Sequence, residues 1–458
     1  MNPHIFREYD IRGHADRDLP DALVQALGVA ISETASTSTP IVVGRDCRLH
    51  SPRLFGALTA GLRVLSTVID IGIVPTPVVY FAQQHLLPGA TVMITGSHNP
   101  AEDNGFKVMI GAQTLHGPAI AGLAQRTAAI LNQPPRPPQH LLLATNIQEA
   151  YLARATAELR LGSRRPRIVV DAGNGAGGPT AIKLYTRLGF EVIPLYCNFD
   201  GRFPHHHPDP TQPENLVDLI SAVRYLDAEV GIALDGDADR LGVVDATGRI
   251  LWGDQLMILL GRALLAEVPS ARFIGEVKCS QLMYDALPSC EMWKVGHSLI
   301  KERLQETGAL LAGEMSGHLF FAHRWLGFDD GIFAGARLLE LLSRSSRPLA
   351  DLVAELPTLV NTPEIRVECP DREKFHVIAS VTEKLRADPA VLDVITIDGV
   401  RARFEAGWGL IRASNTQPVL VSRYEARDQQ SLDRIRKTIE QHVATARAEE
   451  ITCVGSDS

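Results

Sequence analysis

Three short stretches carry the side chains best suited to chemistry. Thr95-Gly-Ser-His-Asn-Pro100 follows the apolar run Ala90-Thr-Val-Met-Ile94. The run reads as a buried strand and the stretch after it as a loop, because Gly96 frees the backbone and Asn99-Pro100 blocks a helix. Ser97, with His98 beside it, is then held on a tight turn at a strand end, where open α/β sheets place their chemistry. A serine that merely caps a helix is the bland alternative. The run Glu229-Val-Gly-Ile-Ala-Leu234 delivers a second loop, Asp235-Gly-Asp-Ala-Asp-Arg240. Three carboxylates crowded at one strand end, Asp235, Asp237 and Asp239, repel each other unless a hard cation neutralises them, and an all-oxygen set in so compact a loop suits Mg2+. An EF-hand fails here, since Arg240 stands where that loop needs glycine and Ala246 where it needs glutamate; a solvated acidic turn is the plain alternative. The third stretch, Gly313-Glu-Met-Ser-Gly-His318, also ends an apolar run. Glu314, Ser316 and His318 alternate, so an extended tip would point all three one way as a comb for binding hydroxyls. A serine-hydrolase elbow fails because Glu314 replaces its first glycine.

A fourth loop lies near the C-terminus. Arg412, Ser414, Asn415 and Thr416 fall between two strands, and a planar guanidinium beside neutral donors suits a phosphate dianion. Two other motifs carry less. Gly173, Gly175 and Gly178 satisfy Gly-x-Gly-x-x-Gly, but the acid that should close the next strand is missing: Glu191 opens it instead, so a tight βα turn is the better reading. His205-His-His207 between Pro204 and Pro208 reads as a rigid loop, since adjacent residues of an extended segment face different sides.

The elements that must position these loops follow from pattern. Short apolar strands are expected at 40–46, 69–74, 104–110 (carrying Lys107), 167–171 and 272–278, and helices at 51–65, 146–161 and 180–188. Residues 6–13 mix rings, charges and glycine without a period, and read as a structured loop holding Tyr9 and Arg12. The prolines at 134, 135, 137 and 138 mark the approach to a domain boundary. An apolar strand near the start and a later one with a polar tip recur three times, a loose internal repetition. After residue 361 the texture changes to an antiparallel α+β unit, with a hairpin turning at Asp398-Gly399. At 458 residues the chain has room for about three or four domains. A net charge of −8 argues against nucleic-acid and anionic-membrane partners. Six scattered cysteines without a Cys-x-x-Cys pair offer neither a disulfide framework nor a zinc site. No leader pattern and no apolar run of about 18 residues is present, so a cytoplasmic protein is expected.

Taken in order, Thr-Gly-Ser-His-Asn-Pro, Asp-Gly-Asp-Ala-Asp-Arg, Gly-Glu-Met-Ser-Gly-His and Arg-Ala-Ser-Asn-Thr-Gln-Pro resemble the four signature loops of the α-D-phosphohexomutases. The likeness is greatest to the bacterial phosphomannomutase/phosphoglucomutase branch. It implies three similar α/β domains with mixed sheets between helices, over 1–146, 147–250 and 251–361. A smaller α+β domain over 362–458 would complete them around a central cleft. It implies an isomerase that moves phosphate reversibly between O6 and O1 of mannose and glucose phosphates, through a phosphoserine and a 1,6-bisphosphate. Ser97 would carry the phosphoryl group, and Ser97, Asp235, Asp237 and Asp239 would hold Mg2+. His98, Lys107, Arg12, Arg240 and His318 would surround the transferring group, with His318 or Lys107 moving the proton. Tyr9, Lys278, His297, Glu314, Ser316, Arg412, Ser414, Asn415 and Thr416 would bind substrate. Glucose 1,6-bisphosphate or mannose 1,6-bisphosphate is the implied activator, hexose phosphate the substrate, and a monomer the expected state. Met315 stands where glucosamine-phosphate relatives usually carry Gln, which favours mannose and glucose; a phosphoglucosamine mutase and a metal-dependent sugar phosphatase are the alternatives. Two positions depart from the pattern: Ala238, where many relatives have Gly, and Gln417, where Thr or Glu is usual.

Overall fold

Every residue of Ala90–Ile94 is buried, as a strand covered by helices on both faces requires. In this computed structural model, which describes residues 2–35, 39–414 and 417–455, that strand lies between a parallel neighbour, Ile41–Arg45, and an antiparallel one, Asp103–Ile110. The full sheet runs Ile11–His14, Asp103–Ile110, Ala90–Ile94, Ile41–Arg45, Val68–Ile73, Leu142–Ala144, with Gln113–Thr114 paired beside Asp103–Ile110. Leu23, Leu27 and Ile31 recur every fourth residue along the helix Asp21–Thr34, as do Leu54, Leu58 and Leu62 along Ser51–Leu62. Both stripes join Ile41, Val43, Val92 and Ile94 in one core. Burying each such side chain contributes about 1.5–3 kcal/mol. Residues 6–13 are not all loop. Ile11–His14 is an edge strand, because its backbone finds a partner in Asp103–Ile110, a long-range pairing that leaves no local period. The register sets Arg12 opposite Gly105 and Lys107 opposite Met93, so Lys107 is borne on the strand beside the one that leads to Ser97 and Arg12 on the next strand out.

A second mixed sheet has the order Ile250–Leu251, Leu241–Asp245, Val230–Leu234, Ile168–Asp171, Val192–Leu195. Val230–Leu234 is parallel to Ile168–Asp171 and antiparallel to Leu241–Asp245, with Leu234 facing Leu241. The glycine-rich turn links Ile168–Asp171 to the helix Gly178–Arg187, as its reading as a βα turn requires. Its Ala176 N donates to Gly236 O at 2.9 Å, so the turn backs the acidic loop. Further on, Leu311–Gly313 and Leu319–Phe321 form an antiparallel hairpin accompanied by the helices His297–Thr307 and Gly331–Arg344. All of these belong to the first of two compact units, Met1–Phe273 with Gly296–Val353.

The second unit comprises Ile274–Val295 and Ala354–Ser458. Its main sheet, Val360–Asn361, Val419–Ala426, Gly407–Ala413, Val400–Phe404 and Asp393–Ile395 in that order, is antiparallel throughout, with Ile365–Glu368 also paired to Val419–Ala426. Helix Asp371–Ala387 contributes Val377, Val381 and Leu385 to its core, and the C-terminal helix contributes Leu432, Ile435 and Ile439. Among the described residues no helix is long and apolar enough to cross a membrane.

Candidate active site

Ser97 sits at a left-handed φ of +48°, a backbone that costs a residue with a Cβ roughly 1–2 kcal/mol. Its neighbours hold it there. Thr95 Oγ1 accepts from Ser97 N at 2.8 Å, and Asp46 Oδ2 accepts from Gly96 N at 3.2 Å. The buried Arg48 donates to the carbonyls of Ser97 (2.7 Å), Asn99 (2.6 Å), Pro100 (2.5 Å) and Asp103 (2.9 Å). Arg12 adds bonds to Asn99 Oδ1 at 2.7 Å and Gly96 O at 3.3 Å, while its other nitrogen meets Asp10 at 2.5 Å. No helix begins here, so Ser97 is not a cap. Its hydroxyl instead donates to Asp235 Oδ2 at 2.8 Å and lies 3.1 Å from His98 Nδ1. Glycine at 236 permits this approach: a Cβ there would come within 2.2 Å of Ser97 O.

The acidic loop is the connection of the hairpin that pairs Leu234 with Leu241. Ala238 accepts its Cβ at a left-handed φ of +60°, a backbone that glycine adopts without strain. Asp235, Asp237 and Asp239 are all buried, and one ligand oxygen of each lies within 4.8 Å of the others. A solvated turn is thereby excluded. Lys107 Nζ donates to Asp237 Oδ2 at 2.7 Å and to Asp239 Oδ2 at 2.5 Å, and Arg240 N donates to Asp235 Oδ1 at 3.2 Å. Oδ1 of Asp237 is buried and accepts no hydrogen bond among the described residues, and Oδ1 of Asp239 has only the His318 ring nitrogen Nε2 beside it, at 3.3 Å. Orphaned carboxylate oxygens in a buried site are costly unless a cation takes them. Together with Asp235 and the Ser97 oxygen they form an all-oxygen set that fits Mg2+. Burial pushes the Asp235 carboxyl well above its ordinary range, and the charges of Asp239 and Asp237 push the same way. Asp239 also suffers from burial, but Lys107, His318 and Arg240 outweigh it and hold this carboxyl well below that range. Lys107 is disfavoured by burial, yet Asp237 and Asp239 keep its ammonium protonated well above the usual lysine range.

The hydroxyl comb is built differently from its sequence reading. Residues 314–318 are not an extended tip but a tight turn, with Gly317 N donating to Glu314 O at 3.0 Å and Glu314 N to His318 O at 3.0 Å. Gly317, at φ +92°, reverses the chain, which alternation alone does not reveal. The three side chains still converge: His318 Nδ1 lies 2.6 Å from Glu314 Oε2 and 3.2 Å from Ser316 Oγ, and Nε2 lies 3.3 Å from Asp239 Oδ1. Burial would lower the His318 pKa, but Asp239, assisted by Glu314, raises it to about 10. Glu314 Oε1 also accepts from Gly296 N at 2.8 Å, which fixes the start of the helix bearing His297. Tyr9 meets His297 edge to face at 6.2 Å. Burial, and then the charge of Lys301, lowers the His297 pKa; the Lys301 ammonium lies 3.1 Å from Asp329 Oδ1 and 4.0 Å from the Tyr80 ring centre. Asp239, His318 and Asp329 also stand close enough to share an ion. With His297 Nδ1 at 3.4 Å and Lys301 on the Asp329 carboxylate, and Arg240 Nε 3.2 Å from His318 Nε2, protein cations already serve that group.

The first unit therefore brings together Ser97, His98, Arg12, Lys107, Asp235, Asp237, Asp239, Arg240, Glu314, Ser316, His318, His297 and Tyr9. Lys278, Arg412 and Ser414 lie in the second unit, and Asn415 and Thr416 fall outside the described residues. There Lys278 pairs with Glu364 at 2.7 Å, and Arg412 with Asp398 at 3.0 Å. Ser414 Oγ accepts from Gln417 N at 3.2 Å, and Gln417 Oε1 accepts from Arg366 at 2.8 Å, so the departure at 417 is used at the loop's edge. Sequence reasoning missed Arg48, Thr76, Lys301 and Asp329. The only local hint of Arg48 is the charged tail of its strand, Arg45-Asp-Cys-Arg48; Asp329 precedes an apolar helix, where an acid reads as a cap.

Comparison with known proteins places this geometry. Family models described as phosphoglucomutase/phosphomannomutase alpha/beta/alpha domains I, II and III match residues 3–133, 149–248 and 252–360, and the C-terminal domain model matches 364–442. A phosphomannomutase/phosphoglucomutase of Pseudomonas putida is 43% identical over 445 residues, covering 94% of each chain. A phosphoglucomutase of Neisseria gonorrhoeae is 44% identical over 444 residues, covering 94% of this chain and 95% of its own. The crystal structure of a phosphoglucomutase/phosphomannomutase family protein from Burkholderia thailandensis superposes with a TM-score of 0.89 at 40% identity, over 97% of this chain and 98% of that one. Four domain matches in order and relatives this similar over nearly the whole length leave one conclusion: the chain belongs to the phosphoglucomutase/phosphomannomutase family, among the α-D-phosphohexomutases.

Proposed function

We infer that the chain is a phosphomannomutase/phosphoglucomutase, an isomerase that moves phosphate between O6 and O1 of mannose and glucose phosphates by way of phosphorylated Ser97 and a hexose 1,6-bisphosphate. The observation that carries this reading is Ser97 Oγ, buried on a strained loop and 2.8 Å from Asp235, the first of three carboxylates of which the other two share Lys107. In the first half-reaction the Ser97 oxygen–phosphorus bond breaks as a sugar hydroxyl oxygen bonds to phosphorus and its proton leaves. The bisphosphate then turns over and returns its other phosphate to Ser97. The chain's part is positioning and charge neutralisation. Mg2+ held by Asp235, Asp237, Asp239 and the Ser97 phosphate would supply neutralisation of the non-bridging oxygens. Lys107 and Arg240 bring fixed positive charge to the same place. His318 and Lys107, the candidates for proton transfer, are both held protonated, which suits returning a proton to an oxygen as it leaves phosphorus; in the reverse direction the same group accepts it.

Glu314 and Ser316 would grip neighbouring ring hydroxyls, with Tyr9, His297 and Lys278 completing the substrate set. Arg412, Ser414, Asn415 and Thr416 would hold the phosphate that is not reacting. Met315 supports mannose and glucose over glucosamine, and comparing turnover on the three sugar 1-phosphates tests it. We place the domain boundaries near residues 146, 250 and 361; the last two lie within a few residues of the ends of the second and third family matches, at 248 and 360, and the first lies between the end of the first match at 133 and the start of the second at 149. A cytoplasmic monomer activated by glucose 1,6-bisphosphate or mannose 1,6-bisphosphate, without nucleic-acid or membrane partners, fits the acidic charge. Intact mass before and after incubation with glucose 1,6-bisphosphate tests the central claim. One added phosphoryl group on the peptide containing Ser97 is expected; isomerisation with no phosphorus on that peptide at any time refutes it, and net release of inorganic phosphate instead of isomer points to a phosphatase.

A further inference from the structure

The two oxygens of Asp237 are treated differently by the fold. Oδ2 accepts two hydrogen bonds, from Lys107 Nζ at 2.7 Å and from Thr76 Oγ1 at 2.6 Å, while Oδ1 is buried and accepts none. Asp239 is served differently: its Oδ2 also meets Lys107, but its Oδ1 lies 3.3 Å from His318 Nε2. One oxygen of Asp237 is thus anchored from behind and the other is left over. Thr76 is fully buried and opens the helix Thr76–Leu86 between Pro75 and Pro77. Proline on both sides fixes the backbone where the helix starts, and Thr76 N donates to Asp237 O at 2.9 Å. The residue therefore grips Asp237 twice, by main chain and by hydroxyl, across 161 positions of sequence. The positive end of the helix faces the same carboxylate.

We propose that Thr76 is a positioning residue for the divalent cation: its hydroxyl locks the Asp237 carboxylate so that Oδ1 is the oxygen offered to the metal. The main-chain bond survives any side-chain change, so the hydroxyl can be removed while the helix stays attached to the acidic loop. Loss of a donor behind a ligating carboxylate typically lowers metal affinity about 10–100-fold. This proposal rests on the reading of Asp235, Asp237 and Asp239 as the cation's ligands, and the test separates the two.

Mn2+ is titrated into the full chain and free Mn2+ is read by electron paramagnetic resonance, for the native protein, T76V, T76A, T76S and D237N. Thermal melts of each variant report folding. The expected result is a Mn2+ dissociation constant raised about tenfold or more in T76V and T76A, restored to within about threefold in T76S, with Mg2+ competing in every case. Turnover at saturating metal should fall much less than turnover at limiting metal. Native-like Mn2+ affinity in folded T76V, or T76S binding as weakly as T76V, overturns the role of Thr76 while leaving the ligand assignment standing. Should the native chain fail to bind Mn2+, or D237N bind it as tightly as native, the ligand assignment falls and Thr76 with it.

Discussion

Replacing Arg48 by lysine tests whether the Ser97 loop is held in its reactive shape or simply rests there. The guanidinium has five N–H donors in a planar fork, and four of its contacts are to the carbonyls of Ser97, Asn99, Pro100 and Asp103, at 2.5–2.9 Å. Lysine keeps the charge but has three donors on a single atom, so it cannot reach acceptors spread along seven residues of chain as a fork does. At least one or two buried carbonyls lose their donor, each at about 1–3 kcal/mol, giving a loss of about 2–4 kcal/mol. For a unit of this size that corresponds to a melting temperature lower by about 3–6 °C. The left-handed backbone of Ser97 then loses its main restraint and relaxes by roughly 1–2 kcal/mol. A displacement of Ser97 Oγ by about 1 Å is enough to slow transfer about 100-fold. Two assays read this out: a coupled isomerisation assay for kcat and KM, and intact-mass kinetics of phosphoryl uptake from glucose 1,6-bisphosphate. The expected result is a fall of about 100-fold in both kcat and uptake with KM changed less than about threefold. An R48K protein melting within about 1 °C of native and turning over within about threefold would refute the reasoning.

Ser97→Ala removes the phosphoryl carrier but only one hydroxyl hydrogen bond, so isomerisation should fall at least about 1,000-fold while thermal melts shift little; retained turnover would sink the assignment. Arg412→Lys replaces a fork with a point charge and should raise KM for hexose phosphate about tenfold, with a smaller change in kcat; an unchanged KM would remove the loop from substrate binding. Asp330→Ala strips the acceptor from Tyr151 Oη at 2.9 Å, Trp325 Nε1 at 3.1 Å and Phe333 N at 2.8 Å, and should destabilise the first unit by about 3–5 kcal/mol in urea titration. His206 Nε2 meets Asp171 Oδ2 at 3.0 Å; burial lowers its pKa, but the bond and charge of Asp171 raise it above the ordinary histidine value. A folded-state pKa raised in this way contributes stability in full below about pH 6.5 and loses it as pH rises through the folded value. Melts of H206Q should therefore lack part of the native decline across that window, and an identical pH slope in the two proteins would exclude the linkage.

What could be read without a structure was whatever the chain writes locally. Each signature loop is about six residues long and follows an apolar run, so strand, tip and chemistry appear in one window; the strands Ala90–Ile94 and Val230–Leu234 lie where their burial pattern puts them. Ile11–His14 escaped notice because an edge strand is defined by its partner, here some ninety residues on, and not by its own period. Residues 314–318 show the converse: Glu314, Ser316 and His318 do converge, but on another backbone than alternation implies, since a turn closed by Gly317 and an extended tip can both bring alternate residues together. Arg48 and Thr76 left almost no trace, for their hydrogen bonds reach 49 and 161 positions along the chain. The loops of the candidate site were thus legible and the residues that hold them were not. Such residues work through tertiary contacts, and any donor of the right length can fill such a place. The variants R48K and T76V accordingly probe the part of the site that no motif encodes: the first removes hydrogen bonds that hold the Ser97 loop, the second the hydroxyl bond to Asp237, and both leave every signature residue unchanged.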